Sequence, residues 1–415
     1  MANAVEEPAF AFSPCRHKLA YNEAFNERGP MPMNENPLTR SERALRAIVE
    51  VLLLWAALAT CSPAQQPQLS PEKRAQIEAA VSKFMSSTHV PGLSVAVVEN
   101  GEYEWASGFG LADAENNTPA SEHTLFRLAS ISKSLTAVGA LQLFERGQLD
   151  LDAPVQKYCP AFPKKQLPIT TREVMGHLGG IRHYKTGAPD EAELGNTRYF
   201  DDPIPAGLDF FKNDPLVADP GTHFHYSTQG YTLVACVMQG ASGARYLDFM
   251  RQNVLAPAGM EQTQVDDRFA IIPYRTRFYR MTKSGTVENA DFLDSSYKIP
   301  GGGWLSSAED MARFEVAVLN DKLLKRSTRD LMWTPLKPSD GSKDGYGLGW
   351  GVGDKSGVET VGHSGGQQGT STDFLIAPAQ RAGVVVLTNM EDIGASDLAA
   401  EIMKVLLGPA NAPKN

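Results

Sequence analysis

Phe126-Arg127-Leu128-Ala129-Ser130-Ile131-Ser132-Lys133-Ser134-Leu135-Thr136-Ala137 is the stretch on which the reading of this 415-residue chain turns. A strand-like run gives way to a helical one at Ser130, with Leu135, Val138, Leu141 and Leu143 as its buried side. Residues three apart share a helix face, so the Ser130 hydroxyl and the Lys133 amine can meet. A serine hydroxyl is a poor nucleophile at neutral pH and needs a base beside it. A lysine serves only where burial and neighbouring cations lower its pKa well below ~10.4. A serine at a helix start also offers its own N–H to an oxyanion. Alone, S-x-x-K recurs by chance, so its weight depends on the rest of the chain.

Working outward, the next element is Pro220-Gly221-Thr222-His223-Phe224-His225-Tyr226-Ser227-Thr228. Pro-Gly predicts a turn, and Tyr226 stands just before a helical run from Tyr231 to Val237. A tyrosine beside a lysine ammonium can lose its proton below ~10 and act as a base. The third element is Gly362-His363-Ser364-Gly365-Gly366. It matches the G-x-S-x-G elbow of α/β-hydrolases, but that fold needs a histidine after the serine, and His363 is the last in the chain. The elbow reading fails. His223 and His225 form H-x-H on an expected strand, yet no third ligand accompanies them and no metal is expected. No cofactor is implied.

Ser70 and Pro71 start a helix carrying Ile77, Val81, Phe84 and Met85. Leu93–Val98 and Tyr103–Gly108 flank Glu99-Asn100-Gly101, a hairpin signal. Further strands are expected at Tyr346–Val352, Val358–Gly362, Thr370–Ala377 and Gly383–Asn389, then a helix from Ser396 to Leu407. Short connections imply an antiparallel sheet, and neither strand group is stable alone. The fold class is therefore α+β, one sheet flanked by helices and interrupted by an all-helical insertion. The sheet part covers about 70–130 and 336–408, the insertion about 131–335, and 409–415 is a tail.

In these motifs the chain resembles serine β-lactamases and penicillin-binding proteins, above all class C enzymes and mitochondrial β-lactamase-like serine proteases. The likeness spans about residues 70–408. It adds Ile169-Thr170-Thr171-Arg172-Glu173, His177-Leu178-Gly179-Gly180-Ile181-Arg182-His183-Tyr184, Ser296-Tyr297-Lys298-Ile299-Pro300-Gly301-Gly302-Gly303-Trp304-Leu305-Ser306 and Met332-Trp333-Thr334-Pro335. It implies the β-lactamase/transpeptidase-like fold, Ser130 as acylated nucleophile, Lys133 as activating lysine and Tyr226 as proton shuttle. The N–H groups of Ser130 and Gly366 would form the oxyanion hole. Thr228, His363, Ser364 and Gly365 fall at substrate-binding positions. His177 and His183 read as structural. Two departures stand out: Thr228 replaces the usual Asn of Y-x-N, and His363-Ser364-Gly365 replaces K-T-G. A histidine with an ordinary pKa of ~6.5 is a weaker carboxylate anchor than lysine, which disfavours β-lactams while leaving acyl transfer intact.

Composition fits an ordinary globular enzyme, 42% hydrophobic and 21% charged, with net charge −9 and no basic block outside the N-terminal region. Nucleic acid is therefore excluded as a partner. Cys15 and Cys61 lie in the N-terminal extension. Cys159 and Cys236 lie in the body, with two buried thiols as the default and a disulfide left open. Within residues 1–69, Arg40, Arg43 and Arg46 precede the apolar run Val51–Thr60, the order of an export signal. The chain would start at Met31 or Met33 and be cut before Cys61 or after Ala64, or stay as an anchor. The expected location is periplasmic or secreted, with membrane attachment through the N-terminus as one outcome. The expected function is acyl-enzyme hydrolysis of a peptide or amide of the D-alanyl or β-lactam type. A carboxylesterase is the alternative, and a self-associating scaffold with secondary catalysis is the reading from another class.

Overall fold

The computed structural model describes residues 69–185, 196–355 and 357–408. The expectations for residues 1–68 and 409–415 lie outside the described residues. Helix α1 (Pro71–Thr88) is capped by the Ser70 side chain, which accepts from Lys73 N, and it buries Ile77 and Val81. Strands β1 (Gly92–Glu99) and β2 (Glu102–Asp113) form the expected hairpin. Asn100 and Gly101 take φ 54° and 77°, the paired positive values that a tight hairpin turn requires. The short strands β3 (Thr118–Pro119) and β4 (Phe126–Arg127) lead to α2 (Ser132–Glu145).

The middle of the chain is mainly helical, with α3 (Thr228–Ser242) as its longest helix. It is not all-helical. It also carries β5 (Gln264–Val265), β6 (Tyr279–Met281), β7 (Val287–Asn289) and β8 (Trp304–Ser306). These make a small sheet in the order β4-β8-β5 and a β6–β7 hairpin, segments too short to show period-two patterning. Cys159 and Cys236 are joined by a disulfide, so the expectation of two free thiols gives way. The link ties the loop after α2 to α3, where Gly240 lets the Tyr158 carbonyl approach. His223 and His225 lie in a loop, not on the expected strand.

After α4 (Ala308–Leu319) come β9 (Gly351–Lys355), β10 (Val358–Gln367), β11 (Thr370–Ala377), β12 (Ala382–Thr388) and α5 (Ala395–Leu407). The strand expected at Tyr346 begins only at Gly351. Residues 346–350 form an irregular loop against α2, where Gly349 has φ 81° and a Cβ would lie 2.5 Å from the Ala137 methyl carbon. The main sheet runs β3-β2-β1-β12-β11-β10-β9, antiparallel throughout, with Val95 opposite Val386. The two ends of the chain thus meet at β1 and β12, as required of an interrupted sheet. One face packs Val95, Val97, Val384 and Val386 on α1 and α5. The other packs Ala96, Val98, Phe374 and Val385 on α2, α3 and α4. The catalytic candidates lie on this second side.

Candidate active site

Ser130 sits in a single 3₁₀ turn, Ala129–Ile131, between β4 and α2. The preceding Ala129 has φ 47°, a left-handed conformation that costs a non-glycine residue about 1–2 kcal/mol. Neighbours on both sides hold this backbone. Leu128 N donates to Trp304 O at 2.9 Å, and the Thr372 hydroxyl donates to Leu128 O at 3.2 Å. Gly365 of β10 lets the turn come close, because a Cβ there would stand 2.3 Å from Leu128 O. The turn therefore lies against the sheet.

Lys133, one helical turn on, is fully buried. Its Nζ lies 2.9 Å from Ser130 Oγ and donates to Gly301 O at 2.8 Å. Gly301 is required there, since a Cβ would lie 2.7 Å from the Thr228 methyl carbon. Burial, and then the charge of Lys298, hold Lys133 well below the usual lysine range. A neutral amine has one lone pair and two hydrogens, so it can accept the Ser130 proton while donating to Gly301. The geometry meets the demand of the S-x-x-K spacing.

Tyr226 completes the cluster. Its hydroxyl is hydrogen-bonded to Ser130, and its ring lies 4.8 Å from Lys133 Nζ and 4.3 Å from the His177 ring. The expected lowering of its pKa is reversed: burial raises it above the ordinary tyrosine value, with the Ser130 bond opposing only in part. No neighbouring charge offsets that burial. Tyr226 is thus a phenol that can pass protons, not a standing base. His177 accepts from Ser227 N at Nδ1, 3.1 Å away, and burial holds it well below the usual histidine range. His183 accepts from Thr228 N at 3.2 Å and is pushed down to about 4, first by burial and then by Lys133. Both accept from backbone N–H groups at the start of α3, and His183 also lines the cavity at Ser130.

Two cavities meet at Tyr226. One, of about 250 Å³, is lined by Ser130, Tyr226, Thr228 and Gly366 together with Asn196 and Lys298. The other, of about 340 Å³, is lined by Tyr226, Tyr346, His363 and Ser364. His363 is committed within it: Nδ1 lies 2.6 Å from Ser364 O, and Nε2 lies 2.9 Å from the Tyr346 hydroxyl. The carbonyl can only accept, so Nδ1 carries a proton, while the Tyr346 hydroxyl also bonds Tyr231. Gly365 lines neither cavity. It is buried under Leu128 and Ala129, so the expectation that it touches substrate is corrected to a packing role. A further cavity, about 620 Å³ beside Arg127, contains none of the expected residues.

Lys298 is the residue that motif reading passed over. It is buried, and its Nζ lies 3.4 Å from Asn196 Oδ1. Burial first, and then Arg127, bring it to about 7, with Asp294 opposing. The signal was present in Tyr297-Lys298-Ile299-Pro300, a lysine inside an apolar run, but nothing local revealed which cavity it joins. Among the described residues, no group of three His, Cys, Asp or Glu could hold a metal.

Comparison with known proteins bears on the family and the fold. Residues 77–405 match the Beta-lactamase family model. Human mitochondrial serine beta-lactamase-like protein LACTB is 33% identical over 417 aligned positions, covering 75% of this chain and 76% of the relative. The octameric penicillin-binding protein homologue of Pyrococcus abyssi superposes with a TM-score of 0.70 at 26% identity, over 80% of this chain and 77% of that one. The D-amino acid amidase of Ochrobactrum anthropi shares the fold, with a TM-score of 0.69 at 23% identity, over 81% of this chain and 99% of that one.

Proposed function

Starting from a chain that belongs to the beta-lactamase family and is a serine hydrolase, we propose that it cleaves peptide or amide substrates through an acyl-enzyme on Ser130. Ser130 Oγ attacks the carbonyl carbon as its proton passes to Lys133 Nζ. The N–H groups of Ser130 and Gly366 receive the developing oxyanion, and losing such a donor typically costs about 10²–10³ in rate. The leaving nitrogen takes its proton through the Tyr226 hydroxyl, which is reprotonated from Lys133. Water then attacks the ester, and the same groups run in reverse.

The observation that carries this reading is the 2.9 Å approach of Lys133 Nζ to Ser130 Oγ with Lys133 fully buried. A fluorophosphonate should add one adduct to the wild-type protein, seen by intact mass, and none to Ser130→Ala. An adduct retained on Ser130→Ala would move the nucleophile elsewhere.

A carboxylesterase is the second reading. It is favoured by the commitment of His363 to Tyr346 and Ser364, which leaves no ammonium at the position where K-T-G would grip a β-lactam carboxylate. Turnover of p-nitrophenyl esters, D-alanyl peptides and a cephalosporin in parallel decides between the two. A scaffold role in which catalysis is secondary fits poorly with the assembled Ser130–Lys133–Tyr226 cluster. Self-association is proposed from the octameric homologue and is read by size-exclusion chromatography. Export to an oxidising compartment is supported by the Cys159–Cys236 link. No helix among the described residues is long and apolar enough to cross a membrane.

A further inference from the structure

We propose that Lys298 anchors an anion in the Ser130 cavity, so that the preferred acyl donors carry a carboxylate on the acyl side of the scissile bond. The inference rests on the acyl-enzyme reading above. An acyl group bonded to Ser130 Oγ must occupy the cavity that Ser130 lines, and Lys298 lines the same cavity. Among the described residues Lys298 forms no ion pair; its Nζ lies 5.5 Å and 5.4 Å from the Tyr184 and Tyr297 rings, and its one hydrogen bond is the long contact of 3.4 Å to Asn196 Oδ1. An ammonium has three donors, so at least two remain for a ligand.

The other cations nearby are engaged. Arg127 is held by Asp266 at 2.7 Å, Gln368 O at 2.9 Å and Leu293 O at 3.4 Å, and it does not line this cavity. Lys133 is bound to Ser130 and Gly301. His183, on the cavity wall, is neutral at pH 7. Asp294 opposes the downward shift of Lys298, but its Oδ1 accepts from the Ser296 hydroxyl and backbone, and its Oδ2 lies 3.6 Å from Arg268. A buried cation without a counter-ion is costly, and a substrate carboxylate would supply one. The anion grip would thus lie in the Ser130 cavity, not at His363.

Three esters test this. The p-nitrophenyl hemisuccinate and butyrate share a leaving group and differ in the acyl carboxylate, and m-carboxyphenyl butyrate moves the charge to the leaving group. The wild-type kcat/KM should favour the hemisuccinate over p-nitrophenyl butyrate by about 10–100-fold, the worth of a charge-assisted contact. Lys298→Met should bring that ratio near one. Any effect of Lys298 on Lys133 touches both esters alike and cancels in the ratio. The rate of m-carboxyphenyl butyrate relative to p-nitrophenyl butyrate should not depend on Lys298. A wild-type ratio near one, which needs no variant, overturns the proposal and leaves the acyl-enzyme reading standing. So does a charge preference that follows the leaving group. Absence of turnover and of Ser130 labelling would overturn both.

Discussion

The two faces of the main sheet are built on opposite principles. Behind it, Val95, Val97, Val384 and Val386 meet Ile77 and Val81 of α1 and Leu398 and Ile402 of α5 in an apolar core that buries no lysine or histidine. Its buried carboxylate, Asp373, is hydrogen-bonded to Ser396 of α5. In front, the layer of α2, α3 and α4 buries Lys133, Lys298, His177 and Glu315. Charged groups removed from water cost free energy unless they are paired or neutralised. The rear core therefore carries stability, and the front layer sacrifices some of it to hold ionisable groups in altered protonation states. Reactive groups and perturbed pKa values coincide for that reason.

The comparison is broken most forcefully by emptying the front layer of its chemistry. Lys133→Ala and Tyr226→Phe should each lower the acylation rate by about 10²–10⁴, or about 3–5 kcal/mol of barrier, while the fold persists. In the double variant the losses should fall well short of their sum, because both residues lie on one proton path. Stopped-flow acylation measures this, and fully additive losses would separate the two residues.

The disulfide sharpens the contrast, because it lies in the front half, between residues 77 apart. Closing a loop of that length stabilises the fold by about 4 kcal/mol in the chain-entropy model. The double replacement Cys159→Ser with Cys236→Ser should lower the urea midpoint accordingly. An unchanged midpoint would mean that the front layer does not depend on the link.

Glu315 gives a contrast that appears only as pH changes. It reaches from α4 towards Gly383, where a Cβ would lie 2.3 Å from its Oε2. Burial first, and then Asp373, push its carboxyl well above the ordinary value. The folded state therefore keeps a proton that the unfolded chain loses near pH ~4.3. Stability falls as pH rises from there towards the folded pKa, by up to about 1.4 kcal/mol per pH unit. Glu315→Gln has nearly the same shape and does not titrate, so its urea stability should lose this decline as pH rises from about 4.3. Parallel stability curves for the two proteins would remove Glu315 from the account.

What could be read from sequence follows from distance along the chain. Asn100-Gly101, the Ser70 cap and the Ser130–Lys133 pair are local, with their partners within a few residues. The sheet was legible because period-two patterns at both ends needed a common partner. Lys298 and the Cys159–Cys236 link escaped because their meaning depends on contacts across the insertion. Lys133, for instance, donates to Gly301, 168 residues away. The direction of the Tyr226 shift was missed for a different reason: its burial is a property of the packed site.

The central claim is that a buried, neutral Lys133 activates Ser130, and the pH dependence of fluorophosphonate acylation tests it most directly. With Lys133 held well below 10.5, the rate should fall in acid, rise through the lowered pKa, and be level well before pH 10. A rate that still climbs tenfold per pH unit as pH 10 approaches would mean that Lys133 keeps an ordinary ammonium, and the account would be contradicted.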